Sequence, residues 1–291
     1  MSNANLNGRP DADRQLIQEI ESTKVPYGML AVWSLGQASF IVKGGDTVVY
    51  VDPFALSDEE VERRYGLKRL FPSPVGPEQI TNADCCLITH EHADHLDPDT
   101  IKAMAAANSR TLFVAPNCCL DAMRECGVSE ARLYRAETDR AVIEEKRLSV
   151  KPIPAAHEQL ELDDEGFCKY AGYFVRLNGV TWYHAGDTII YDGLVERLAA
   201  ERIDLALLPI NGRDAFRTGR GIIGNMDYRE AAELAQLAGF GLTVPMHYDL
   251  FAGNTERPGY FVDYVYERFP RLRTHVMARG ERFVFVSDAA L

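Results

Sequence analysis

The chain has 291 residues, of which 46% are hydrophobic and 25% charged, a composition typical of a globular protein that buries a full core. Its formal net charge of −12 argues against a nucleic-acid groove as the main binding surface, because phosphate binding requires a basic surface. No segment approaches the roughly 18 uninterrupted apolar residues of a transmembrane helix, and the N-terminus carries no apolar run of a secretory signal. We therefore expect a cytoplasmic protein that does not enter a membrane.

The N-terminal part of the chain begins with a helical pattern and continues with strands. Leu16, Ile17 and Ile20 recur at helical spacing and predict a short amphipathic helix, within an N-terminal segment that we place at residues 1–23. Three β-runs follow, MLAVWSLG, ASFIVKGG and TVVYVDP. The GGD at 44–46 is typical of a hairpin turn between the last two runs.

The middle of the chain alternates between apolar runs and helical patterns. Residues 55–82 contain several prolines and suggest an irregular segment. The run ADCCLIT, ending at Thr89, is typical of a strand buried on both faces. Asp97 followed by Pro98 predicts a helix N-cap with proline at the first helical position. TLFVAP and RLSVKPIPAA then read as strands, with the helix LDAMREC between them.

The second half repeats this style. Its predicted strands are AGYFVRLNG, VTWYHAG, DLALLPI and LTVPMHY, and its predicted helices are LVERLAAE, residues 228–237 and residues 261–269. No composition break or low-complexity linker divides the chain. The pattern favours a layered α/β arrangement, with residues 24–291 as one domain built of two β/α halves, about 24–165 and 166–291.

The most informative stretch is LITHEHADHLD at residues 87–97, which holds three of the seven histidines of the chain. In an extended segment, residues two apart point the same way, so His90 and His92 can reach one ion, and the adjacent Asp94 and His95 can serve a neighbouring ion. Imidazole and carboxylate groups without thiolates suit Zn²⁺, Mn²⁺ or Fe²⁺ at a hydrolytic site. A polar loop that is histidine-rich by chance is the alternative.

Three later residues share the placement of this cluster. His157, Asp187 and His247 each lie just past the end of an apolar run, where loops carry functional groups. Taken singly, each histidine reads as an ordinary structural group and the aspartate as a turn residue. Taken together with the first cluster, they predict side chains gathered on one rim of the sheets.

At this point the sequence resembles a known family. HEHADH matches the HxHxDH signature of the metallo-β-lactamase fold, and HAGDT and PMHYD match later motifs of that fold in the right order. Within this superfamily, the segments VPYGMLAVWSLGQASF, VDPF, GLKRL and YHAGD resemble the L-ascorbate-6-phosphate lactonase group. The resemblance implies a four-layer αββα sandwich, in which two mixed β-sheets are flanked by helices.

The resemblance also implies a site that holds two divalent metal ions, Zn or Mn, with Fe as a further option. One ion would be bound by His90, His92 and His157. The second would be bound by Asp94, His95 and His247, with Asp187 bridging the two. Metal ions at such a site acidify water into a nucleophile, and Asp94 would orient that water and accept its proton.

Several further residues are candidates around this site. Asp52 is either a hydrogen-bond partner of a ligating histidine or a turn residue beside Pro53. His184 is either a proton donor to the leaving group or a structural residue. The glycine- and arginine-rich segment 210–226 supplies candidates for grasping a phosphate, although solvated loop arginines are the alternative: Asn211, Arg213, Arg217 and Arg220.

Together these features predict a metal-dependent hydrolase of a small anionic, phosphorylated substrate, with a sugar-phosphate lactone as the specific hypothesis. A phosphodiesterase acting on cyclic nucleotides or RNA is the second hypothesis. A di-iron redox protein on the same fold is a third, which the presence of His92 argues against. A binding protein with a degenerate metal site is a fourth. An assembly of identical chains is left open.

Overall fold

A computed structural model of the chain describes residues 9–145 and 147–288. Residues 1–8, which begin the expected N-terminal segment, lie outside the described residues. The α-helices are α1 Arg9–Ser22, α2 Asp58–Tyr65, α3 Pro98–Ala107, α4 Leu120–Glu125, α5 Leu194–Ala199, α6 Ala215–Thr218, α7 Tyr228–Ala238 and α8 Pro258–Arg268. The strands are β1 Met29–Gly36, β2 Ser39–Gly44, β3 Thr47–Val51, β4 Cys85–Leu87, β5 Leu112–Ala115, β6 Leu133–Arg135, β7 Ile143–Glu144, β8 Leu148–Pro154, β9 Ala171–Leu177, β10 Val180–His184, β11 Leu205–Pro209, β12 Leu242–Met246 and β13 Arg282–Val286.

The strands form two mixed sheets. The first has the order β13-β1-β2-β3-β4-β5-β6, and the second has the order β12-β11-β10-β9-β8-β7. In the first sheet β3, β4, β5 and β6 run parallel, and in the second sheet β10, β11 and β12 do. The other pairs are antiparallel, including the hairpin in which Gly44 pairs with Thr47. The chain changes sheets between β6 and β7, and β13 returns to pair with β1.

The alternation of side chains in the first sheet explains why the two sheets stack. Leu30 and Val32 of β1 face a core shared with the second sheet, while Ala31 and Trp33 face a core shared with α1, α3 and α4. A strand that buries both faces in this way must lie between two layers. Helices α5, α7 and α8 contribute to the core on the second sheet. The result is the expected four-layer αββα sandwich.

One segment differs from its sequence-based description. Residues 55–82 were expected to be irregular because of their prolines, yet they contain α2. Ser57 caps this helix by accepting a hydrogen bond from the backbone N–H of Glu60, and Gly66 ends it in the left-handed conformation at φ 64°. The prolines of the segment, Pro72, Pro74 and Pro77, lie beyond Gly66 and leave the helix free to form. Within the described residues, no helix is both long enough and apolar enough to cross a membrane.

Candidate metal centre

The candidate site lies where strands of both sheets end. His90, His92, Asp94 and His95 follow β4, and His157 follows β8. Asp187 follows β10, and His247 follows β12. Parallel strands place their carboxyl ends at one edge of a sheet, and the two sheets bring these edges together. The structure therefore gathers the seven residues that the sequence predicted as ligands.

The loop after β4 curls tightly, so that its side chains converge. The backbone N–H groups of His95 and Leu96 both donate to the carbonyl of His92, at 2.9 and 2.8 Å. Asp97 then caps α3 by accepting from the backbone N–H of Asp99 at 3.2 Å. The rings of His90 and His92 lie 4.5 Å apart between centroids. The predicted N-cap thus fixes where the loop ends and the helix begins.

The convergent atoms fall into three overlapping sets. In each set, one nitrogen or carboxylate oxygen from each residue lies within 4.8 Å of the others. The sets are His90, His92 and His157; His90, His95 and Asp187; and Asp94, His95 and His247. The first and third sets match the two ligand groups implied by the family resemblance.

Asp187 lies between the two groups. Its Oδ1 is 3.4 Å from His95 Nε2, and its Oδ2 is 3.1 Å from His247 Nε2 and 3.7 Å from His157 Nε2. Its carboxylate therefore contacts histidines of both groups, as a bridging ligand must. The glycine before it, Gly186, has φ 61°, and a Cβ there would meet the carbonyl oxygen of Ala171 at 2.8 Å. Glycine is therefore required at this position for the loop to bring Asp187 inward.

Asp52 orients the ligands from behind. This fully buried carboxylate accepts hydrogen bonds from the backbone N–H of Thr89 at 2.8 Å, from the Thr89 hydroxyl at 2.6 Å and from His95 Nδ1 at 2.7 Å. Since His95 donates through Nδ1, its Nε2 points into the cluster. The Thr89 hydroxyl oxygen also lies 3.0 Å from His90 Nδ1. Of the two interpretations of Asp52, this network matches the hydrogen-bond partner of a ligating histidine.

His157 is oriented in the same way by the backbone. Its Nδ1 lies 3.2 Å from the carbonyl oxygen of Gly224, which can only accept, so the ring donates through Nδ1. Its Nε2 then faces Asp187. Ligating histidines are commonly fixed by such a hydrogen bond from the second ring nitrogen.

The residues of the cluster fit a divalent cation. Among the described residues, several buried polar atoms of the cluster have no hydrogen-bond partner: His90 Nε2, His95 Nε2 and Asp187 Oδ1. Buried polar atoms without partners are rare and costly, and a bound ion is one of the few groups that satisfies them. The donor set is nitrogen and carboxylate oxygen, which suits Zn²⁺, Mn²⁺ or Fe²⁺.

The charges within the cluster are mutually dependent. Burial disfavours the imidazolium form of His95, but nearby carboxylates, above all Asp187, outweigh burial and hold the pKa of His95 well above its ordinary value. His247 and His95 outweigh the effect of burial on Asp187 and hold its pKa well below the ordinary value. Burial lowers the pKa of His90 and of His157. A cation would replace the positive charge that the protonated histidine supplies.

Gln37 contacts two of the candidate ligands, although the sequence patterns did not identify it as a site residue. It lies in the turn between β1 and β2, with 2% of its surface exposed, and its side-chain Nε2 donates to Asp94 Oδ2 at 2.9 Å. The same nitrogen is 3.3 Å from His247 Nε2. Its backbone carbonyl accepts from the backbone N–H of His247 at 2.9 Å. Gln37 belongs to the segment VPYGMLAVWSLGQASF, which resembles the lactonase group. However, no spacing rule predicts that a lone glutamine contacts a histidine far away in the sequence.

Backbone strain is concentrated at this site. Six non-glycine residues of the described chain have positive φ, and three of them are Gln37 at 56°, Asp52 at 45° and His247 at 58°. Each lies in the left-handed region, which costs an ordinary side chain about 1 kcal/mol or more. The contacts of the cluster hold these residues in place, as is common at functional sites.

A cavity of about 320 Å³ opens over the cluster. Its floor is formed by His92, Asp94, His157, Asp187 and His247. Its walls are formed mainly by apolar side chains, from Phe54, Tyr65, Leu67, Ala93, Ile222, Ile223, Phe251 and Ala252. This volume lies at the lower end of the range for small-molecule sites.

The predicted phosphate-grasping residues do not line this cavity. Arg213 pairs with Glu230 at 2.6 Å, and Arg217 donates to the carbonyls of Asn211 and Thr255. Arg220 stacks on the ring of Phe216, with its guanidinium carbon 3.8 Å from the ring centroid.

Asn211 and His184 also have structural partners. Asn211 Nδ2 donates to Asn254 Oδ1 at 2.9 Å, and Asn211 Oδ1 accepts from Asn225 Nδ2 at 3.1 Å. The buried ring of His184 lies 2.9 Å from the Ala38 carbonyl through Nε2, and its Nδ1 accepts from the backbone N–H of Gly186 at 3.1 Å. Backbone groups therefore engage both ring nitrogens. These contacts match the structural role for His184 and not the role of proton donor.

The fold and the convergent histidines and aspartates define a class, the metal-dependent hydrolases of the metallo-β-lactamase fold. The protein-family model for the β-lactamase superfamily domain matches residues 47–248, more than half of the chain. The chain therefore belongs to the β-lactamase superfamily.

Curated relatives indicate which members of the superfamily the chain resembles. A UPF0173 metal-dependent hydrolase of Pyrococcus furiosus is 30% identical over 82% of this chain and 94% of its own length. A probable L-ascorbate-6-phosphate lactonase of Escherichia fergusonii is 24% identical over 85% of this chain and 77% of its own length. These likenesses place the chain among the metal-dependent hydrolases of the superfamily.

Solved structures support the same fold. A metallo hydrolase from the archaeon Ignicoccus hospitalis superposes with a TM-score of 0.66 at 21% identity, over 88% of this chain and 98% of that chain. At this level of identity, the likeness concerns the architecture alone.

Proposed function

We propose that this chain hydrolyses a lactone or a related carboxylic ester in a small molecule, at the centre formed by His90, His92, Asp94, His95, His157, Asp187 and His247. The observation that carries the proposal is the convergence of these seven side chains beneath a small cavity, with unpartnered donor atoms aimed at one another. The likeness to a probable lactonase supports an ester bond as the target. We place the activity in the cytoplasm, with zinc or manganese ions in the site.

Bound divalent cations would supply the acidification of a water molecule and the polarisation of the scissile carbonyl. His90, His92 and His157 would hold one cation and Asp94, His95 and His247 the other, with Asp187 shared. Asp52 and Thr89 keep the ligating nitrogens aimed inward, which reduces the rearrangement that cation binding requires.

Asp94 is the residue that we assign to proton transfer. It faces the cavity, and His95 and His247 outweigh its burial and hold its pKa below the ordinary value, so it is ionised at neutral pH. It can accept a proton from the attacking water and deliver it to the alkoxide that leaves when the acyl carbon–oxygen bond breaks. The second proton of the water is released to solvent from the carboxylic acid, so the products are a carboxylate and an alcohol, joined in one molecule if the substrate is a lactone.

The phosphodiesterase alternative would use the same centre, with the phosphoryl group at the cluster itself. A phosphate elsewhere on the substrate would need a partner on the cavity wall, and the three arginines first considered for that role are engaged elsewhere. These contacts disfavour a remote phosphate, and the likeness to a probable lactonase favours the carboxylic ester over the phosphodiester.

A screen of the metal-loaded protein against lactones, carboxylic esters, cyclic nucleotides and phosphodiesters tests the proposal. We expect ester or lactone hydrolysis that falls at least about 100-fold in His92→Ala, with a matching loss of bound metal measured by elemental analysis. The control is His275→Ala, since His275 lies outside the cluster and pairs with Glu281 at 2.9 Å. Equal rates in His92→Ala and the wild type would refute the proposal.

A further inference from the structure

The polarity of the cavity walls indicates which substituents the substrate carries, in addition to the bond that is cleaved. Apart from the floor residues, its polar lining groups are the Tyr65 hydroxyl and the Asn254 amide, and both are uncharged. The rest of the wall is aliphatic, aromatic or glycine backbone. The part of a substrate that extends from the scissile bond therefore meets a mainly apolar surface.

One wall is held rigid by its own small core. Phe54 and Phe251 pack edge to face with ring centroids 6.1 Å apart, in a cluster with Leu56, Val61 and Leu250. Arg69 braces this wall from behind, with its guanidinium carbon 5.0 Å from the Phe54 ring centroid and its Nη1 donating to the Phe54 carbonyl at 3.2 Å. The apolar surface is thus preformed, which lowers the cost of binding an apolar group.

A second part of the wall comes from the loop that follows α6. Ile222 and Ile223 line the cavity, and Ile223 remains 37% exposed at its mouth. An exposed isoleucine at the rim of a small cavity offers surface that an apolar ligand would cover.

No lysine or arginine belongs to the lining within the described ranges, 9–145 and 147–288. A phosphate that is remote from the scissile bond would have to enter this cavity without a charge-assisted hydrogen bond on its walls. Burial of an unpaired anion is costly, so such a group disfavours binding.

We infer that the substrate is an uncharged lactone or carboxylic ester that carries an aliphatic or aromatic chain, rather than a phosphorylated sugar lactone. The inference rests on the proposed hydrolase function. The scissile carbonyl lies over the cluster, and the chain lies between the Phe54 and Phe251 wall and the Ile222 and Ile223 wall. The cavity volume of about 320 Å³ limits that chain to a short one.

A homologous series of γ-lactones with increasing alkyl chains tests the inference, with a phosphorylated sugar lactone for comparison. We expect kcat/KM to rise about threefold with each added methylene until the cavity is filled. The best alkyl lactone should exceed the phosphorylated lactone by at least about tenfold. A higher kcat/KM for the phosphorylated compound would overturn the inference while leaving the hydrolase function intact.

A matched pair of variants locates the effect. Ile223→Asp places a charge in the cavity mouth, and we expect it to abolish the gain per methylene. Leu237→Asp changes an apolar side chain that is 63% exposed on α7 and does not line the cavity, so the gain should persist. Equal chain-length profiles in the two variants would contradict the inference. Both positions are exposed, and we expect both variants to fold.

Binding measured without turnover separates the two proposals. Titration calorimetry with the uncharged amide octanamide on the metal-loaded protein reports the apolar wall independently of catalysis, and Ile223→Asp should weaken this binding at least about tenfold. Octanamide binding without hydrolysis of any ester would refute the proposed function alone. Ester hydrolysis with no chain-length dependence and no octanamide binding would refute the substrate class alone.

Discussion

The side-chain amide of Gln37 lies against two candidate ligands that come from different sheets. Asp94 follows β4 of the first sheet, and His247 follows β12 of the second. Its Nε2 donates to Asp94 Oδ2 at 2.9 Å, the same oxygen that lies 3.7 Å from both His95 Nε2 and His247 Nε2. A neutral donor in this position orients a carboxylate without competing for a cation, which is the work of a positioning residue.

We expect Gln37→Ala to lower the affinity for the divalent cation about 10- to 100-fold, because Asp94 loses the group that orients it. Titration of the metal-free protein with Zn²⁺ against a chromophoric chelator measures this change. Gln236→Ala, at an exposed position of α7, is the control and should bind zinc as the wild type does. Unchanged zinc affinity in Gln37→Ala would show that the amide is not a positioning group.

Helix α7 shows how local sequence stabilises the loop beside the site. Asp227 caps the helix by accepting from the backbone N–H groups of Arg229 at 2.8 Å and Glu230 at 2.9 Å, and the Glu230 carboxylate accepts from the backbone N–H of Asp227 at 2.9 Å. Glu230 also pairs with Arg213. The same capping box that begins the helix thus engages an arginine of the neighbouring loop.

Removal of this cap should have a measurable effect on stability. We expect Asp227→Ala to lower the free energy of unfolding by about 1 kcal/mol, since two backbone N–H groups lose their acceptor. Urea unfolding followed by circular dichroism checks the value. Asp263→Ala, within α8 and exposed, removes an aspartate that caps no helix and should cost less. Equal losses in the two variants would count against a role for the cap.

The sequence predicted elements well where the signal was local. The helix predicted at residues 228–237 corresponds to α7, and the continuous apolar run ADCCLIT contains β4. Helix α2 lies in a segment whose prolines suggested irregular structure, although Ser57 and Gly66 cap its two ends. The short elements β6, β7 and α6 also have no counterpart among the predicted elements. Helical periodicity and continuous apolar runs were therefore sufficient for the longer elements and not for the short ones.

The residues of the site also differ in whether local sequence predicts them. Four of its residues lie within six positions of one loop, so their spacing alone indicates a metal site, with His90 and His92 on one ion and Asp94 and His95 on a neighbouring ion. Gln37 could not be found in this way, because its partners are 57 and 210 positions away. The arginines of the loop after β11 were predicted to bind a phosphate, and the partners that they have in the structure do not support that role. Those partners, such as Glu230 and the Thr255 carbonyl, are set by the fold and not by the spacing.

At the scale of the whole molecule, we propose that residues 24–291 form a single domain. The last strand, β13, pairs with β1, so the C-terminal part of the chain completes the sheet that the N-terminal part begins. The chain changes sheets between β6 and β7, earlier than the expected boundary of the halves near residue 165. The candidate ligands come from both sheets, so the site is complete only when both are assembled.

This shared site predicts that metal removal lowers the stability of the whole molecule. A ligand that binds only the folded state stabilises it by about 2.7 kcal/mol at a concentration 100 times its Kd. We therefore expect the midpoint of thermal unfolding to fall after treatment with a chelator and to return with added Zn²⁺ or Mn²⁺. Differential scanning calorimetry measures this shift. A midpoint that is indifferent to the chelator in a protein with verified metal content would contradict a site shared by the two sheets.

His184 bears on the dimensions of this site although it is not one of the convergent residues. One ring nitrogen contacts the carbonyl of Ala38, the residue after Gln37, and the other contacts the backbone N–H of Gly186, the residue before Asp187. The carbonyl can only accept and the N–H can only donate, so the ring admits a single tautomer. One imidazole ring thus spans the distance between the β1–β2 turn of the first sheet and the loop of Asp187 in the second sheet. Because the ring is rigid, it acts as a spacer of fixed length.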